Sequence, residues 1–188
     1  MLLNSADALR LGSAVVDRVY VGAAQVWPAA VTRYLFPSDA AGRPATPTVE
    51  TDTGSLNIGL IFACTVAGTR VTGLDVYIPA GVTMQPSLHA GTSGTATATG
   101  PAFTATATGW VRLPFTTAAN LQTGVSYTAS VYMASNPKYL TISGRFPATV
   151  GPLNNSATLS GRYSYSSQAR PTTAVATWYG IDVVAEPA

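Results

Sequence analysis

Charge is what this sequence holds least of. Asp, Glu, Lys and Arg make up 10% of its 188 residues, against about 25% in an average soluble domain. Ten cations stand against eight acids, and no basic run gathers them. Nucleic-acid binding needs a basic stripe that neutralises phosphates, so that partner is excluded. An anionic membrane surface is excluded on the same ground. Cysteine occurs once, at Cys64, so no disulfide can form within the chain. It alternates with apolar neighbours in NIGLIFACTV and reads as a small buried hydrophobe. Membrane insertion is not expected, because no stretch approaches the roughly 20 apolar residues of a membrane span. The opening MLLNSADALR also lacks the basic-then-apolar layout of a secretory signal.

Histidine is equally scarce. A Ser-His-Asp triad would have to use His89, in PSLHAG, and no G-x-S-x-G elbow leads into a helix. His89 therefore reads as a strand or loop-tip residue. Metal clusters of His and Cys cannot be assembled from one of each. No enzyme is expected.

What is present has period two. Hydrophobic residues reach 47% and Thr, Ser, Ala and Gly fill the places that charge leaves. In residues 57–66, Ile58, Leu60, Phe62, Cys64 and Val66 share a face. Leu74, Val76 and Ile78 share another, with Asp75 and Tyr77 opposite. Val111, Leu113 and Phe115 alternate with Trp110, Arg112 and Pro114. Val125, Tyr127, Ala129, Val131 and Met133 alternate with Ser126, Thr128, Ser130 and Tyr132. Ile181 and Val183 close the series, and Trp178 reads as core. Turn signals at Ala67-Gly68, Pro79-Ala80-Gly81, Thr123-Gly124 and Asn136-Pro137 separate the runs. Many short strands with one apolar face each predict an all-β, antiparallel β-sandwich. The Gly/Thr/Ala tract over 91–108 fits either an edge hairpin around Gly100-Pro101 or a loop. Residues 136–176 alternate weakly and predict long loops.

The first segment repeats itself. LRLGSAVVDR is followed by VYVGAAQVWP, so that Leu9, Leu11, Gly12, Ala14 and Val16 align with Val19, Val21, Gly22, Ala24 and Val26. Each copy reads strand, Gly turn, strand, and neither holds enough apolar surface to fold alone. Residues 1–28 therefore form a small N-terminal β module, 29–33 a linker, and 34–188 the sandwich. Leu9, Leu11, Val16, Val19, Tyr20, Val21, Val26 and Trp27 are the expected assembly contacts, Trp27 as the docking anchor. The alternative is that the repeat packs onto its own sandwich as extra strands.

Those twenty residues resemble the LGS..V..VYLGS..VWP phrase near the start of minor tail proteins of phages infecting actinobacteria. A second resemblance covers roughly residues 34–186. YLFPSDAAGRPATPTVETDTGSLNIGLIFACTVAGTRVTGLDVYIP, GWVRLPFTTAANLQTGVSYTASVYM and WYGIDVVAEP are similar to a bacterial and phage β-sandwich domain of uncharacterised function. Its fold resembles carbohydrate-binding jelly rolls. The resemblances imply a virion protein made in the host cytoplasm, a tail-tip or fibre component that touches other virion proteins. They carry no catalytic motif.

For a ligand, Tyr139, Arg145, Arg162, Tyr163 and Tyr165 supply flat aromatics and hydrogen-bond donors in the predicted loop region. A host-surface glycan and a neighbouring subunit both fit that inventory, since both meet amphipathic aromatics at a surface. A symmetric homo-oligomer, with a trimer favoured, would multiply weak contacts into avidity. Glu50, Asp52 and Asp182 either ring a structural Ca²⁺ or divide into a solvated acidic loop and a strand-face Asp. No other cofactor is expected. Two further readings stay open: a head decoration or tail spacer with no ligand, and a cellular carbohydrate-binding module.

Overall fold

In a computed structural model the described residues are 10–11, 14–15, 19–21, 24–27, 35–36, 48–150, 152–155, 159–165 and 167–187. Every named strand pairs antiparallel with its neighbours. The N-terminal repeat forms two hairpins. β1 (Arg10–Leu11) pairs β2 (Ala14–Val15), and β3 (Val19–Val21) pairs β4 (Ala24–Trp27). Leu11↔Ala14 and Val21↔Ala24 close them at equivalent places in the two copies. Among the expected assembly contacts, Leu9 and Val16 lie outside the described residues. So do the side chains of Leu11, Val19, Tyr20, Val21, Val26 and Trp27.

The sandwich has one large and one small sheet. The large sheet is built on β6 (Leu56–Cys64), β12 (Ser126–Met133) and β8 (Thr83–Ala90), in the order β8-β12-β6. The free edge of β6 takes two partners end to end. β15 (Leu153–Asn155) pairs near Cys64, and β16 (Gly161–Tyr165) pairs with Leu56 to Leu60. Beyond them lie β14 (Ala148–Val150) and β17 (Thr173–Val175). The small sheet is β11 (Gly109–Asn120), β7 (Thr69–Ile78) and β18 (Ile181–Pro187). A separate pair, β5 (Thr48–Thr51) with β13 (Lys138–Thr141), completes the named strands outside the large sheet's other edge.

The predicted alternations supply the core. Ile58, Leu60, Phe62 and Cys64 face Leu74, Val76, Ile78, Leu113, Ile181 and Val183 across the interior, all buried. Trp178 is buried with them and stacks at 5.8 Å from Trp110. Val66 departs from the pattern: β6 ends at Cys64, and Val66 is 52% exposed. The turn signals fall between strands, and at Gly124 (φ 77°) and Asn136 (φ 45°) the chain passes through the left-handed region.

Two expectations need correction. The Thr/Ala tract is not a hairpin. β9 (Ala98–Thr99) and β10 (Phe103–Thr104) both pair with β8, as one interrupted edge strand. The interruption has a cause on the partner. Pro86 faces the gap, where its carbonyl accepts from the Gly100 N–H at 3.1 Å, and proline has no N–H to return. Residues 136–176 are not long loops either. They contain β13 to β17, and β16 joins the central strand of the large sheet. Weak alternation there reflects strands covered on both faces: Gly161 is buried and Arg162, Tyr163 and Ser164 are half-buried.

Candidate functional site

β16 places Tyr163 and Tyr165 two residues apart, hence on one face, opposite Ile58 and Leu56. Their rings meet edge to face at 5.7 Å. β13 brings Tyr139 beside them. The backbone bridge between Ile142 and Trp178 sets Tyr179 against Tyr139, with ring centres 5.8 Å apart. Four tyrosines with Leu56 and Ile58 beneath line a shallow cleft of about 70 Å³. Tyr165 is 53% exposed at its mouth and Tyr179 is buried at its back.

Acid lies at the rim. The Tyr165 hydroxyl donates to Asp52 Oδ2 at 2.6 Å, and the Thr53 N–H donates to Oδ1 at 2.8 Å. The phenol hydrogen bond, then the backbone one, hold Asp52 below the usual carboxylate range. The same bond, with smaller contributions from burial and the Asp52 charge, pushes the Tyr165 phenol up to about 12. Burial raises Tyr139, and the charges of Asp52 and Glu50 add to it. Burial likewise raises Tyr179. The Tyr139, Tyr165 and Tyr179 phenols therefore stay protonated and can both donate and accept at neutral pH. Glu50 is the cross-strand partner of Tyr139.

The expected tyrosines thus come together, whereas the arginines do not join them. Arg145 lies over the Trp178 ring, 5.9 Å from its centre. Arg162 alternates with the tyrosines on β16 and points to the other face of the sheet. The calcium trio does not converge either. Asp182 is buried. Its Oδ1 accepts from the Leu35 and Val183 N–H groups at 2.8 Å each, and its Oδ2 from Phe36 at 3.0 Å. It clamps the start of the sandwich to the last strand, while Asp52 serves Tyr165. Among the described residues no three His, Cys, Asp or Glu side chains are grouped to hold a metal. Tyr179 was not foreseen, although it adjoins a tryptophan that reads as core.

His89 is a buried strand residue on β8. Its Nε2 lies 3.2 Å from Ser87 Oγ, which in turn lies 2.9 Å from Ser130 Oγ. Nδ1 is buried without a hydrogen-bond partner, so no carboxylate orients the ring as a triad requires. Burial lowers the His89 pKa, the Thr95 carbonyl opposes that shift, and the Arg170 charge lowers it further.

Residues 41–180 match a domain of unknown function, DUF4082. No curated protein matches the chain. Among solved structures, the clostridial cysteine protease Cwp84 after propeptide cleavage superimposes with a TM-score of 0.53 at 7% identity, covering 74% of this chain and 38% of that one. A structure of the cysteine protease and lectin-like domains of Cwp84, a surface layer associated protein of Clostridium difficile, gives a TM-score of 0.53 at 8% identity, covering 72% and 33%. The chain thus spans 38% of the length of the first structure and 33% of the second. At such identity the likeness is one of fold alone.

Proposed function

The chain belongs to the DUF4082 family, and from that premise we propose that its sandwich is a non-enzymatic binding domain that contacts a cell-surface glycan through the tyrosine cleft. The observation that carries this reading is the cleft itself: four tyrosines over Leu56 and Ile58, with Asp52 fixing Tyr165 at the mouth. Sugars present apolar CH faces between hydroxyls. Aromatic rings cover the former and phenols with a carboxylate bond the latter. The likeness in fold to a structure that includes lectin-like domains favours the same class.

The setting we propose is a phage particle, as a minor tail protein in the tail tip or fibre. The N-terminal repeat, with its paired hairpins, joins the sandwich to other virion proteins and to copies of itself, as a trimer. A cleft this shallow gives weak single contacts, and multivalency raises them to useful avidity.

The test is binding of the full chain to intact actinobacterial cell envelopes, with light scattering for mass on the same samples. The reading expects an oligomer that binds, and a loss of about tenfold or more for Tyr165→Ala, an aromatic anchor. An oligomer that binds no envelope, or a Tyr165→Ala chain that binds as well as the parent, sinks it. The first outcome would favour an architectural spacer, in which the half-exposed Tyr165 packs against a neighbouring subunit.

A further inference from the structure

The opposite face of the large sheet holds a second constellation. Arg162 is pinned on β16: its Nη1 donates to the carbonyls of Leu159, at 2.5 Å, and Gly161, at 2.8 Å. That nitrogen has no hydrogens left. The Nε–H and the two N–H groups of Nη2 remain, which is the fork that grips a planar or tetrahedral oxyanion through two parallel bonds. Arg170 lies on a strap that crosses the same face. Asn57 Nδ2 donates to the carbonyls of Gln168 and Ala169, at 3.3 and 2.7 Å, and the Pro171 ring packs over Gly59. Gly59 is the cross-strand partner of Arg162. The two arginines repel each other, and burial with that repulsion lowers the Arg162 pKa.

Two other arginines are paired with acids: Arg70 with Glu186, and Arg112 with Asp75. Among the described residues no carboxylate pairs with Arg162 or Arg170. A second, independent observation lies on the same face. Buried polar atoms go without partners at Asn57 Oδ1, Thr128 Oγ1, Ser164 Oγ and His89 Nδ1. Ser164 is the neighbour of Asn57, and Thr128 that of His89, across the strands. Orphaned polar atoms of this kind are uncommon in folded proteins.

We propose that this face binds an acidic saccharide through its phosphate or uronate oxygens, gripped by Arg162 and Arg170. Among the described residues no carboxylate opposes them, so a neutral sugar leaves the two guanidinium groups uncompensated and an acidic one does not. The site is on the far side of β16 from the tyrosines. It does not rest on the tyrosine-cleft reading, and each can fail alone.

The full chain is titrated at low ionic strength with inorganic phosphate, with a glucuronate-containing disaccharide, and with its neutral glucose counterpart. The readout is the amide NMR shifts of Arg162, Ser164 and Arg170. One or both anions should shift them while the neutral disaccharide does not, and the anion that acts identifies the acidic group. Arg162→Lys keeps the charge and loses the fork, so it should weaken binding about tenfold or more. Arg170→Gln should weaken it likewise and flatten the salt dependence, and Tyr165→Ala should leave it unchanged. Both arginines are partly exposed, so neither variant threatens the core. Silence with both anions, equal shifts from the neutral disaccharide, or binding that survives both arginine variants overturns the proposal.

Discussion

Asp182→Ala tests how the sandwich is closed. The side chain is buried, and it collects three backbone N–H groups from two distant parts of the chain. Alanine strands all three in a dry interior. An unmet buried donor costs about 1–3 kcal/mol. Water entering the vacated space relieves part of the sum, so we expect about 3–5 kcal/mol in all. In a domain of this size each kcal/mol lowers Tm by about 2–4 °C, so the transition should fall by roughly 6–20 °C. Asp182→Asn keeps one acceptor oxygen but turns an NH₂ toward another N–H, and should lose about half as much. Thermal unfolding by circular dichroism gives the magnitude, and amide hydrogen exchange gives the mechanism. Leu35 and Phe36 should lose protection in both variants while β6 and β12 keep theirs. A fall of less than about 2 °C, or unchanged protection at Leu35 and Phe36, would refute the clamp.

Other outcomes follow from the same interior. His89 is the only histidine and its pKa is lowered in the fold. The unfolded chain therefore binds its proton more readily. Stability should be complete above the ordinary value of 6.5 and decline as pH falls from there toward the lowered folded value. The slope is at most about 1.4 kcal/mol per pH unit, and denaturant unfolding across that window should show it disappear in His89→Gln. Asp52→Asn weakens the acceptor of Tyr165, so the most basic accessible phenol should titrate closer to 10 by ultraviolet absorbance. A Cβ at residue 59 would sit 2.8 Å from the Ala129 carbonyl and 3.1 Å from Pro171. Gly59→Ala should then cost about 1–3 kcal/mol, and faster proteolysis at residues 167–171 would show the strap displaced. Tyr127→Phe removes the acceptor of the Gln122 N–H beside the Gly124 turn and should cost about 1 kcal/mol in urea unfolding.

Strands with one apolar face were legible from alternation alone, as in Leu74, Val76 and Ile78. Strands covered on both faces were not. β16 reads GRYSY, and nothing in those five residues says which side is core, because tyrosines fill one and a half-buried arginine the other. The tyrosine cleft was half legible. An aromatic cluster stands out in composition, but its membership depends on long-range register: Tyr139 arrives on β13 and Tyr179 through the bridge to Ile142. The role of Asp182 was hidden for the same reason. Its partners are backbone amides some 146 positions away, and amides leave no residue signature. Pro86 is the instructive case. It was visible in the sequence, yet its effect falls on the neighbouring strand that it leaves unpaired.

That broken strand bears on how many copies can crowd together. Unpaired strand edges recruit strands from other molecules and so seed aggregation. On one flank of the large sheet the outermost pieces, β9 and β10, are two residues each with Gly100-Pro101 between them. On the other, β14 and β17 are three residues each. Neither flank offers a run long enough to template a further strand. Along these flanks, large sheets held side by side at high local concentration would touch through side chains and stay separate; the longer edges are those of the small sheet, β11 and β18.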